Sequence, residues 1–241
     1  MLFFHRLRDI ISEKKISTCG RNFLSLDEQI NGWDRANKKM AWGIEEVEFA
    51  KLKASPSPVL TDDDRNWGFN GVALLYGFGD DGLGNADSVL SGKQAWEYAI
   101  KSGKNKTWQC SYIDFCRPKQ IRLRPGAPAR PKGFYYGKIH LGHKYQEKSV
   151  SQVRRQLNTD TGCGPEGLQL LSITQPHLAE LMSKHQIPFM SLADYEVATR
   201  GVSNFSDAPQ IFCCDNRLGL GIGNVERNYP LFGIPTLRFY D

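Results

Sequence analysis

The chain of 241 residues has no long hydrophobic run. Its opening, MLFFHRLRDII, interrupts the apolar residues with His5, Arg6, Arg8 and Asp9. That pattern excludes a secretory h-region and a membrane span, which needs about 20 apolar residues. The expectation is a soluble, cytoplasmic protein with no membrane partner. Cys-x-x-Cys is also missing, so no zinc knuckle is written in the sequence. The six cysteines, at 19, 110, 116, 163, 213 and 214, read as free thiols rather than a disulfide framework. An acid followed two places later by Lys, the pattern of one nuclease class, occurs only at Glu13 and Lys15. No RRM, KH, zinc-finger or helix-turn-helix signature is present, and no internal repeat. Residues 115–146 contain no Asp or Glu at all.

What is present suits one sizeable core, with 40% hydrophobic and 24% charged residues. Leu2, Phe3, Leu7, Ile10 and Ile11 recur at helical spacing, and Ile44, Val47 and Leu52 mark a second helix over 41–54. Ser55-Pro56-Ser57-Pro58 and the run Asp62-Asp63-Asp64 then break the pattern. The organisation expected is a helical N-terminal arm over 1–54, a linker over 55–64 and an α+β domain over 65–241.

Within that domain GVALLY (71–76) reads as a buried strand, and Val89, Trp96 and Ile100 mark a helix ending near Gly103. Strand-like runs follow at 108–115, 120–124 and 134–141. Ser149 with Gln152 forms a capping box for a short helix, and Thr174 with Pro176 predicts the start of another. A strand is expected at 187–192, and 211–214 and 218–222 flank Asp215-Asn216-Arg217 as a hairpin. Strands and helices mix without strict alternation, which predicts an α+β class built on a single mixed sheet-containing domain.

GFGDDGLGNAD (77–87) spells G-x-G-x-x-G between a strand and a helix, the context of a dinucleotide fingerprint. Asp80 and Asp81 would set carboxylates where a pyrophosphate needs neutral backbone donors. Asp80, Asp81, Asn85 and Asp87 offer oxygen ligands, but not at EF-hand spacing. The remaining reading is a turn, with glycines supplying positive φ and Asn85 or Asp87 capping the next helix. No cofactor is implied.

The segment Gln156-Leu157-Asn158-Thr159-Asp160-Thr161-Gly162-Cys163-Gly164-Pro165 resembles the nucleophile region of papain-like peptidases, where a Gln shortly before Cys-Gly-Pro helps to bind the oxyanion. The resemblance implies Cys163 as nucleophile and Gln156 as donor. A base is also needed, and the later histidines are His177 and His185, with Asp194 placed to orient His185. Pro165 at a first helical position would set Cys163 beside free backbone N–H groups that favour a thiolate. The alternative is a buried thiol. His140 and His143 lie in a strand-like run, where residues three apart face opposite sides, so they are not expected to converge, and no metal site is expected.

The strongest compositional signal is basic. Residues 115–146 hold eight Lys or Arg out of a net +5, leaving −3 for the remainder. In 120–124, Arg122 and Arg124 share one face while Ile121 and Leu123 share the other. This predicts a binding protein that presents a basic, aromatic-rich surface to nucleic acid or another anionic partner. Arg117, Lys119, Arg122, Arg124, Arg130 and Lys132 would be its cations and Tyr135 its stacking ring. Two alternatives stand beside it: a thiol hydrolase using Cys163, Gln156, His185 and Asp194, and an interaction protein with no small ligand. Whether the chain is an enzyme stays open.

Overall fold

A computed structural model describes residues 23–79, 87–102, 106–110, 113, 120–198, 204–214 and 217–240. The first described helix, α1 (Leu26–Met40), starts at a capping box in which Ser25 and Glu28 answer each other's backbone N–H. Asp27 and Glu28 sit in its first turn and Lys38 and Lys39 in its last, matching the helix dipole. Ile30, Trp33 and Ala36 are fully buried in the main core. The Trp33 ring lies against Trp42, Tyr76, Phe78 and Phe134. Residues 26–40 are therefore part of the core. Asn31, Gly32 and Asn37 dilute the apolar periodicity and hide this helix. Gly32 is needed there, because a Cβ would stand 2.6 Å from the carbonyl oxygen of Ile173 on a crossing helix.

Helix α2 (Glu46–Ala54) follows as expected. The triple-aspartate run begins α3 (Asp62–Trp67), with Thr61 and Asp64 closing a second capping box. Three carboxylates in a first turn complement the dipole, so a stretch that resembles a linker by composition is a helix start.

Strand β1 (Gly71–Gly77) pairs antiparallel with β4 (Gly133–His140). Its other edge has no strand among the described residues. Side chains take that place: Gln29 accepts from Leu74 N–H and donates to Val72 O, Trp33 donates to Leu74 O, and Gln169 accepts from Tyr76 N–H and donates to Tyr76 O. Two helices thus satisfy an edge that would otherwise invite another chain.

The remaining elements are α4 (Asp87–Ser102), β2 (Lys106–Gln109), β3 (Ile121–Leu123), α5 (Val150–Arg154), β5 (Thr161–Gly162), α6 (Pro165–Gln169), α7 (Leu178–Ser183), β6 (Phe189–Ser191), β7 (Tyr195–Val197), β8 (Asp207–Cys214), β9 (Arg217–Asn224), β10 (Phe232–Gly233) and β11 (Thr236–Phe239). Strands β1-β4-β11-β5 make one sheet; β10-β6-β8-β7-β3 make the other, in which β9 joins β8 to β2. The class is α+β, as expected, and its strands form these two sheets. Helix α6 runs on into a π turn at Leu170–Thr174. Thr174 ends that turn and α7 begins only at Leu178, because the buried chain is continuous from Pro165 and needs no new start at Thr174. Among the described residues no helix is long and apolar enough to cross a membrane. Residues 1–11, 80–86, 115–119 and 215–216, on which several expectations fall, lie outside the described residues.

Candidate functional site

Pro165 does take the first position of α6, but the thiol before it is closed off. Cys163 is 0% exposed. Burial pushes its thiol well above the ordinary range, and the carboxylates of Glu166 and Asp194 push it further against the opposing charge of Arg130, which disfavours the thiolate. Gln156 is exposed and accepts from Lys148 Nζ at 2.8 Å. His185 is exposed with a left-handed φ of 55°, its ring tilted against Phe189. Asp194 bonds Arg124, Arg130 and Thr161 and no histidine. The four residues named for hydrolysis do not assemble.

What surrounds Cys163 is a closed ionic centre. Arg130, with a side chain 1% exposed, donates to Glu166 from Nε at 2.7 Å and to Asp194 from Nη2 at 3.0 Å. It also donates to the carbonyls of Pro128 and Gly162. Burial works against the charge, but the two carboxylates outweigh it and raise the guanidinium pKa. Glu166 further accepts from Tyr135 OH at 3.1 Å and from Gly164 N–H at 2.8 Å. Arg124 completes the set on Asp194 at 2.8 Å. Two guanidinium groups balance two carboxylates, tying the proline-rich loop to α6 and to the turn before β7.

The expected basic surface is mostly spoken for. Arg122 stands across the β3–β7 pair from Glu196, with Nη2 at 3.1 Å, and lies 3.7 Å from the Phe205 ring centroid. Arg124 and Arg130 belong to the buried centre, and so does Tyr135, which is a core hydrogen-bond donor and offers no stacking plane. Lys138 pairs with Asp64 at 2.9 Å. Lys132 is exposed. Arg117 and Lys119 lie outside the described residues.

A different constellation forms a cleft of about 710 Å³ between the start of α1, residues 57–60, the turn after α3 and the end of β4. Its walls include Leu26, Val59, Leu60, Phe69 and Val72 for the apolar part and Gln29, Asn70, Tyr136, His140, His143 and Gln146 for the polar part. Among the described residues no Asp, Glu or Lys lines it, and Arg65 is the one charged group. His140 and His143 share the cleft because the strand ends at His140 and Gly142, at φ 96°, turns the chain into a short 3-10 helix (His143–Tyr145).

His140 Nδ1 accepts from Gly142 N–H at 2.9 Å, which places the proton of the neutral ring on Nε2. Burial, then His143 and Lys144, lower its pKa to about 4. Burial also lowers that of His143, against a hydrogen bond from the ring to the Gln186 backbone. Both shifts favour the uncharged imidazole. Tyr136 OH and His143 Nε2 are shielded polar atoms without a hydrogen-bond partner.

Cations gather on aromatic rings beside the cleft. Arg238 sits 5.0 Å from the ring of Phe69, a lining residue, and 5.4 Å from that of Trp67, and it pairs with Asp160. Lys144 is 5.2 Å from the Trp67 ring and 5.6 Å from Tyr145. Lys144 has no carboxylate partner among the described residues. Arg65 meets Asp62 at 3.4 Å with both side chains largely in water, a contact that holds little. Period-two reasoning across 134–143 concealed this site, and the polar-residue excess at 65–70 and 140–146 was the signal that could have shown it. Among the described residues no group of three or more His, Cys, Asp or Glu is arranged to hold a metal. No family model matches the chain, and no curated protein or solved structure matches it.

Proposed function

We propose that this protein binds a small amphiphilic anion, with its apolar body in the cleft and its anionic group on Arg65 and Lys144. The observation that carries the reading is the lining: about 710 Å³, within the range of ligand sites, walled by apolar side chains and uncharged hydrogen-bonding groups without one carboxylate. A cationic ligand would find no counter-charge there. An anion finds two exposed cations that internal carboxylates leave largely unneutralised. The reading keeps an anionic partner for the chain and moves its contact from β3 to the mouth of the cleft.

The test compares anilinonaphthalene sulfonate with its uncharged parent, N-phenylnaphthylamine, by fluorescence titration. The sulfonate is expected to bind more tightly, and Arg65→Glu with Lys144→Glu should weaken it about tenfold while changing the parent less than about twofold. Leu60→Trp, which fills the cleft, should remove both. Equal affinity for the two dyes, or dye binding unchanged by Leu60→Trp, contradicts the proposal.

A further inference from the structure

Four aromatic residues and one glycine fall in a single row across five strands. Phe232 of β10 pairs with Phe189 of β6. The register Met190 to Ile211 sets Phe189 opposite Phe212 of β8. Phe212 pairs with Gly219 of β9, and Gly219 with Trp108 of β2. Adjacent rings stand 5.3 Å, 6.2 Å and 5.8 Å apart, the last distance spanning the glycine. A Cβ at Gly219 would lie 2.3 Å from the Phe212 ring, so that ring leans over the bare backbone of β9. Gly221, the next residue on the same face, also raises no side chain. The row ends at Trp108, which is 53% exposed on a strand paired among the described residues only with β9.

The row is aromatic and carries no acid. Arg217 comes two residues before Gly219 and is therefore on the same side of β9. Arg217 is exposed and has no ion-pair partner among the described residues. A half-exposed indole beside an exposed guanidinium is a combination that recognises rings carrying phosphate.

We propose that this face binds a planar aromatic ring joined to a phosphate, with the ring stacked on Trp108 and the phosphate on Arg217. A free nucleotide and an unpaired nucleotide within a single strand share that chemistry. The site is separate from the cleft and does not depend on it.

The test is fluorescence polarisation of a labelled oligothymidylate at low salt, with thymidine monophosphate as competitor. Trp108→Ala is expected to weaken binding about tenfold, while Trp108→Tyr keeps most of it, because the tyrosine ring restores the stacking plane. Arg217→Glu should weaken binding and lower the slope of log affinity against log salt by about one, with Arg217→Lys close to wild type. Leu60→Trp, in the cleft, should change nothing here. Competition by the monophosphate assigns the site to free nucleotides, and its failure assigns it to strands; either supports the site. Absence of binding to both probes, or wild-type affinity in Trp108→Ala and Arg217→Glu, overturns it.

Discussion

The Arg130 centre and the cleft at the end of β4 are both rich in the side chains that chemistry uses, and they differ in how those side chains are answered. Around Arg130 each charge meets an opposite one: two guanidinium groups, two carboxylates, a phenol and several backbone groups close on one another. In the cleft, His143 Nε2 and Tyr136 OH meet nothing. Closure serves the fold; a ring of nucleophile, acid and base types carries no reactivity once its members neutralise each other away from water. Unanswered polar atoms beside open volume are where a ligand adds something.

The sharpest way to break the comparison is at its closed end. Arg130→Met removes one cation, takes from Glu166 its guanidinium partner in the core and leaves Asp194 with Arg124 alone, and should destabilise the fold by about 3–5 kcal/mol in urea denaturation. A loss under about 1 kcal/mol would mean that the centre is not closed.

The second effect lies at the open end and depends on pH. His140 titrates near 4 in the fold and near 6.5 in the unfolded chain, so the unfolded chain takes up the proton first as pH falls. The contribution is complete above pH 6.5 and is lost towards pH 4, with an upper size of about 3 kcal/mol. His143 shifts in the same direction. His140→Asn keeps an acceptor for Gly142 N–H and removes the titration, so its stability should fall less steeply than wild type across that window. Parallel profiles would contradict a neutral, buried His140.

The smallest effect separates two arginines that alternate on one strand. Arg122→Ala breaks a pair that is 46% exposed on the arginine side and should cost about 0–1 kcal/mol. Arg124→Ala, which removes one of the two guanidinium partners of a buried Asp194, should cost more. Equal losses would erase the distinction between surface and centre.

The alternation Arg122-Leu123-Arg124 was legible in the sequence, and so is Asp194-Tyr195-Glu196. What the sequence does not show is that β3 and β7 pair in a register that sets the two series against each other. Local signals survived well: the strand at Gly71–Gly77, the capping box at Ser149, and the β8–β9 hairpin outside its turn all follow from short-range chemistry. Helix α1 did not, because its buried Gln29 and Gly32 answer to partners far away in sequence, β1 and the π turn. The cleft was hidden for a related reason. A single left-handed glycine, Gly142, replaces the two-residue period by a turn and brings His143 round to the side of His140.

The most direct measurement is imidazole nitrogen NMR of the five histidines during titration with anilinonaphthalene sulfonate. Occupation of the cleft predicts that the His143 and His140 resonances move with saturation while those of His177 and His185 hold still. Movement of His177 or His185 with His140 and His143 unchanged would place the ligand elsewhere and contradict the account.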